Sequence, residues 1–209
     1  VAAGCTITGI SPSSVTVGLS DVEKTWAPKT TGCSFKGWSV KFPVEWNDRG
    51  SNGSVFITGY SATAPIDIDF LSNGMAGRLS VLVVVSDAEA GPTQADVTLY
   101  LKRRTTWSST FNATPEPVTK GANISIKGTL GRANWNTMEY QGYQGRKVWV
   151  QFRPAGSSTF STVKKVTTGT GGKVATTVKA AEDGAWRLYY AGNSTSSAST
   201  STADAVDVR

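Results

Sequence analysis

Residues 131–147, GRANWNTMEYQGYQGRK, set one tryptophan and two tyrosines among asparagine, glutamine, glycine and arginine. Sugars present apolar C–H faces that stack on aromatic rings, and hydroxyls that need amide or charged partners. Trp135, Tyr140 and Tyr143 supply the rings, while Asn134, Asn136, Gln141, Gln144 and Arg146 supply hydrogen bonds. The candidate ligand-binding set is Trp135, Asn136, Tyr140, Gln141, Tyr143 and Arg146. The competing use of the same rings is a lid over one end of the protein's own core, since an aromatic body that is buried with a wet tip is ordinary for Trp and Tyr. Solvent exposure separates the two readings.

The chain of 209 residues has no histidine. That removes Ser-His and Cys-His nucleophile pairs and histidine-bound zinc or iron. What remains for catalysis is a carboxylate pair or a Ser-Lys arrangement. Asp67 with Asp69, or Glu45 with Asp48, would have to serve as the pair, and no pattern marks a cleft around them. The expectation is a protein that is not an enzyme and needs no cofactor. For calcium, NDRGSNGS at 47–54 echoes an acidic loop but lacks the second aspartate and the closing glutamate. Asp67 and Asp69 in IDIDF are expected on one strand face, where they serve as the wet side of the strand or as a hard-cation pair. No metal ligand is assigned.

The formal charge is +6, and it is unevenly placed. Residues 1–110 hold nine Lys and Arg against nine Asp and Glu; residues 111–209 hold twelve against six. A basic surface of this kind attracts anionic wall polymers, acidic glycans, released DNA or anionic lipid heads. Lysines at strand ends also block edge-to-edge aggregation, which is the plainer use of the same residues. No RNP-like motif or zinc knuckle points to specific nucleic-acid recognition.

The elements that must position these residues are strands. Ser, Thr, Gly and Val dominate, alternation is common, and no long 3.6-residue pattern occurs. Strands are expected at 5–10, 14–18, 22–27, 36–46, 54–60, 66–71, 78–86 and 95–102, and then at 118–130, 147–153, 160–167, 173–179, 185–191 and 203–208. In KVWVQFR, alternation sends Val148, Val150 and Phe152 to one face and Trp149, Gln151 and Arg153 to the other. The segment Trp107–Pro117, stiffened by Pro115 and Pro117, reads as a short joint. The fold expected is all-β, two immunoglobulin-like antiparallel β-sandwiches in tandem, with domains at 1–108 and 109–209.

Cys5 and Cys33 are the two cysteines, and a lone pair suggests one disulfide formed in an oxidising compartment. The start VAAGC, without methionine, reads as the end left by signal-peptide removal or as an arbitrary boundary. No apolar run reaches the roughly 18 residues that span a bilayer.

Four segments carry a family likeness: PEPVTKG, the GRANW stretch, the VQFRPAG hairpin and GAWRLYYAG. Over about the last hundred residues the chain resembles the C-terminal module of secreted actinobacterial immunoglobulin-like proteins; the first half is similar only through ISPSSVTVG. The resemblance implies a secreted β-sandwich module without a settled biochemical role, some members of which are labelled calcium-binding. In DGAWRLYY, Trp186 stands near the place where immunoglobulin domains carry a corner tyrosine, and the second half has no cysteines for an inter-sheet bridge. The reading is a secreted or wall-associated binding protein attached to an extracellular glycan, an anionic polymer or a protein partner. The alternative is a structural spacer in an extracellular assembly. The oligomeric state is not legible.

Overall fold

The computed structural model describes residues 4–41, 54–57, 62–89, 91–109 and 111–209. The chain divides into two compact units: Val1–Arg103 with Trp135–Met138, and Arg104–Asn134 with Glu139–Arg209.

In the first unit the strands are β1 (Thr6–Ser11), β2 (Ser14–Val17), β3 (Val22–Thr31), β4 (Phe35–Lys41), β5 (Ser54–Ile57), β6 (Ala62–Ile66), β7 (Gly77–Asp87) and β8 (Gly91–Arg103). One sheet has the order β1-β3-β6, and the other β2-β8-β7-β4-β5, with β2 parallel to β8. Inward positions carry the apolar side chains that the alternation demands. Ile10, Val15, Val17, Trp26, Val40, Val81, Val83, Val85, Leu99 and Leu101 are all buried. Cys5 and Cys33 are joined in a disulfide. They stand beside the Thr6↔Thr31 pair, so the bond staples the open end of β1 and β3 within one sheet.

The strand expected at 66–71 is instead the end of β6 followed by a 3-10 turn, Ile68–Phe70. The Asp67 carboxylate accepts the Asp69 N–H at 2.9 Å, and Asp21 accepts that of Ile68 at 2.9 Å. A short carboxylate competes with the sheet ladder for nearby backbone donors, and here the local turn wins. Asp67 and Asp69 therefore do not share a strand face. Residues 42–53, with Glu45, Asp48 and most of the 47–54 loop, lie outside the described residues.

The second unit contains β9 (Thr105–Trp107), β10 (Asn112–Thr114), β11 (Asn123–Asn134), β12 (Glu139–Gly142), β13 (Lys147–Pro154), β14 (Ser161–Thr167), β15 (Lys173–Lys179), β16 (Gly184–Tyr190), β17 (Ser199–Thr200) and β18 (Asp204–Val206). The long strand β11 organises one sheet: β15 and then β12 follow one another along one side, β10 and β9 along the other. The second sheet has the order β14-β13-β16, with β17 and β18 both on β16. Val118 bridges Val208 in parallel, as β2 does β8 in the first unit. In each unit the chain thus begins in one sheet and crosses to run parallel beside the last strand of the other. That arrangement, β1-β3-β6 opposed to β2-β8-β7-β4-β5 in the first unit and the sheet around β11 opposed to the sheet around β13 and β16 in the second, is immunoglobulin-like.

The core of the second unit is Ile124, Ile126, Leu130, Val148, Val150, Val174, Trp186, Leu188 and Tyr190 with their neighbours. Each fully buried aliphatic side chain contributes roughly 1.5–3 kcal/mol. Trp186 packs on Phe152 with ring centroids 4.6 Å apart, filling the centre of a sandwich that has no inter-sheet bridge. At the junction of β15 and β12, the 3-10 turn Thr170–Gly172 passes against β12. Gly172 has φ +74°, and a Cβ there would collide with Leu130 O and Tyr143 N.

Replacing Gly172 by alanine is expected to lower stability by about 2 kcal/mol or more, read as a fall in the urea midpoint. A Cys5→Ser, Cys33→Ser double variant should lose about 3–4 kcal/mol in the same assay.

Candidate functional site

Residues 131–147 are not a loop but mostly a β-hairpin. β11 continues to Asn134 and β12 returns from Glu139, pairing Arg132 with Gln141 and Ala133 with Tyr140. The stretch is short of apolar alternation, so its pairing is set by backbone continuity and by the Asn134 side chain, which donates to Gln141 Oε1 at 2.6 Å. The hairpin tip, Trp135–Met138, counts with the first unit. There the Trp135 backbone N–H donates to Asn73 Oδ1 at 3.0 Å and its indole N–H to Gly18 O at 3.0 Å; Asn136 Oδ1 accepts from Asn73 N at 2.8 Å.

The rings of this segment divide by exposure. Trp135 is 3 % exposed and Tyr143 8 %, whereas Tyr140 is 42 % exposed. Trp135 is counted with the first unit and Tyr143 with the second, and of the three rings Tyr140 alone is exposed. Asn136, Tyr140 and Gln141 are exposed, and Arg146 is half-buried against Tyr143.

The Tyr143 phenol is the centre of a polar cluster in the second unit. Its ring meets Tyr190 edge to face, with centroids 5.9 Å apart. The guanidinium of Arg132 lies 4.0 Å from its ring centroid and that of Arg146 4.7 Å. Ser196 Oγ donates to the phenol oxygen at 3.2 Å and accepts from Arg132 Nη1 at 3.3 Å. Burial alone would raise the phenol pKa; hydrogen bonds from Ser196 and Asn193 and the charges of Arg132 and Arg146 outweigh it and hold Tyr143 below the ordinary tyrosine value. Burial, and then the neighbouring Tyr143, push Tyr190 up to about 12.

A larger cluster lies on the outer face of the β14-β13-β16 sheet. Val148 and Val150 of β13 and Leu188 of β16 point into the core, so Trp149, Gln151 and Arg153 and their cross-strand partners Tyr189 and Arg187 point out. Trp149 packs on Tyr189 with centroids 5.8 Å apart. Gln151 Oε1 accepts from Arg187 Nε at 2.8 Å. The Arg187 guanidinium sits 3.8 Å from the Phe160 ring centroid, and that of Arg153 5.0 Å from the same ring. On β14, Lys165 stands opposite Trp149, and on β13 Lys147 continues the row. Burial, followed by the positive charge of Arg153, lowers the Arg187 pKa. No Asp or Glu occupies an outward position of these three strands, and neither arginine forms an ion pair with a described carboxylate. Sequence reading put Trp149 and Arg153 on this face; the meeting of Phe160 with two arginines was not legible, because Phe160 and Arg187 are 27 positions apart with no spacing rule to join them.

Two other places bring acidic or thiol groups together among the described residues. The acidic and thiol groups that approach one another, Cys5, Cys33 and Asp87, offer no metal site, since both sulfurs are in the disulfide and Asp87 accepts from Ser34 N and Glu89 N. A concavity of about 580 Å³ includes Glu116, Asp183 and Asp207, but Asp183 accepts from Val208 N at 2.7 Å and Asp207 pairs with Arg209 at 3.0 Å. Among the described residues, no helix is long and apolar enough to cross a membrane.

The strand order defines a tandem immunoglobulin-like β-sandwich protein. No family model and no curated protein matches the sequence. Solved structures of immunoglobulin-type domains align with it. A three-domain titin variant aligns over 98 % of this chain and 65 % of its own, at 10 % identity and TM-score 0.34. The first two immunoglobulin domains of DIP-gamma align over 100 % and 99 %, at 11 % identity and TM-score 0.32. A bacterial ice-binding adhesin involved in host cell surface retention aligns over 98 % and 64 %, at 12 % identity and TM-score 0.33. The chain therefore spans about two thirds of the titin and adhesin structures.

A pH titration tests the tyrosine cluster. Tyr190 is neutral in the fold up to a pKa of about 12, against an unfolded value near 10, so it stabilises the fold below about pH 10 and that contribution is lost as pH rises to about 12. The expected result is a fall in the denaturation midpoint across that window which is shallower in Tyr190→Phe than in the parent.

Proposed function

We propose that the chain is a secreted, non-catalytic binding protein whose second unit holds an acidic polysaccharide on the outer face of the β14-β13-β16 sheet. The observation that carries this reading is the Arg153–Phe160–Arg187 group beside Trp149 and Tyr189. The outer face of a sheet at this position needs no aromatic residues for folding. Half-exposed rings forgo part of the stabilisation that burial would bring, and a sugar face restores it by stacking. The two guanidiniums keep most of their donors free, and planar forks of that kind match carboxylate or sulfate groups bidentately. Gln151 and Phe160 hold them in place before any ligand arrives, which reduces the entropy lost on binding.

Three further observations support parts of the reading. The Cys5–Cys33 bond fits an oxidising, extracellular setting. The lack of histidine and the structural use of Asp67, Asp183 and Asp207 favour binding over catalysis. The exposed edge strand β14 carries Lys164 and Lys165, and Lys164 Nζ donates to Thr177 O at 3.0 Å, so this edge is guarded against strand addition.

The test is a titration of the intact chain with polyuronate and sulfated glycan oligomers at low and high salt. The expected result is saturable binding that weakens as salt is raised and falls by about tenfold or more in an Arg153→Gln, Arg187→Gln double variant and in Trp149→Ala. Binding unaffected by these substitutions, or none at low salt, would sink the reading. Salt-insensitive binding of neutral glycans, lost only in Trp149→Ala, would replace the acidic ligand with a neutral one.

A further inference from the structure

The Arg132–Tyr143–Arg146 cluster raises a separate question. Arg132 lies on β11 at the alternation phase of Ile124, Ile126 and Leu130, the side that faces the core. A cation at the end of a core-facing row normally meets a carboxylate. Here it meets a tyrosine ring and a second arginine; β12 brings Glu139 to the same face of the hairpin as Arg132, but no ion pair joins the two. β11 contributes Arg132, the turn before β13 contributes Arg146, β16 contributes Tyr190, and the turn after β16 contributes Asn193 and Ser196. Neither arginine forms an ion pair with a described carboxylate.

The donors are only partly used. Arg132 Nη1 donates to Ser196 Oγ at 3.3 Å, and Arg146 Nε to Gln144 O at 3.1 Å. Each guanidinium has five N–H groups, so most remain for another acceptor. The mutual repulsion of two half-buried guanidiniums on one ring is eased in part by the negative face of the ring, and an anion between them would ease it further.

We propose that Arg132 and Arg146, braced by Tyr143 and Ser196, form an oxyanion-binding site in the second unit that takes a carboxylate or sulfate group. The site is independent of the outer sheet face, because it shares no side chain with the Arg153–Phe160–Arg187 group. Its ligand is a single planar or tetrahedral oxyanion gripped by two forks, and the ring between them sets their separation.

The experiment is an amide-resolved NMR titration of the intact chain with sodium sulfate and with sodium glucuronate, each at constant ionic strength balanced by chloride. Saturable shifts are expected at Gly145, Arg146, Asn193 and Ser196. Response to sulfate alone assigns the site to tetrahedral groups, to glucuronate alone to carboxylates, and to both to oxyanions generally; each supports the site. Arg132→Gln and Arg146→Lys should weaken binding about tenfold or more, the second variant keeping the charge while losing the fork. Arg187→Gln should leave the shifts unchanged, so that loss of polysaccharide binding at the outer face and loss of this site are read separately. Shifts that do not saturate, or that saturate equally in Arg146→Lys and the parent, would overturn the proposal.

Discussion

The register of β13 governs what the second unit can present. Val148 and Val150 are fully buried beside Leu188, and a one-residue slip would send those side chains to solvent and bring Trp149, Gln151 and Arg153 into the core. Three buried aliphatic groups at roughly 1.5–3 kcal/mol each make that slip prohibitive. The outer row is therefore as well defined as the core itself. Because β13 is flanked by β14 and β16, the same register sets Lys165 and Tyr189 on either side of Trp149 and places Arg187 across from Gln151. The geometry of the outer face is a by-product of core packing.

Electrostatics in the second unit follow a repeated device. Arg153 with Arg187, and Arg132 with Arg146, each share one aromatic ring and lack a carboxylate partner among the described residues. Stacking on a ring face contributes on the order of 0.5–2 kcal/mol per contact, enough to offset part of the like-charge repulsion. It also leaves the N–H edges free, which a salt bridge would not. The six excess positive charges of residues 111–209 are thus spent unevenly: the lysines lie mostly on exposed strand positions, while four arginines are fixed on aromatic platforms.

Strand content was legible where apolar alternation was strong. The stretches 147–153, 160–167, 173–179 and 78–86 agree with β13, β14, β15 and β7 to within a residue; in β13 and β7 buried Val recurs at period two, while β14 is exposed along nearly its whole length. The reading failed where side chains other than apolar ones decide the backbone. Asp67 turned a read strand into a capped turn, and the Gly- and Asn-rich hairpin β11–β12 looked like a loop. β10, read as part of a joint, and β9, outside any expected strand, pair with β11, a long-range match that no local pattern announces. For the site, residue type alone did not reveal burial. Trp135 and Tyr140 have similar neighbours in the sequence, yet one is enclosed with its indole N–H satisfied by Gly18 and the other stands in solvent.

A sheet face and a cleft select different ligands, and this distinction bears on what the second unit is proposed to hold. A cleft surrounds a small molecule and can exclude water from a reacting bond; an open face cannot. The outer face of β14-β13-β16 is therefore suited to holding rather than transforming. Its groups lie in rows along the strands, with the paired rings of Trp149 and Tyr189 at one place and the cations Arg153 and Arg187 at another. On the proposed reading, a chain of sugars laid along the strands meets both, so that each weak, solvent-exposed contact gains from the others already made.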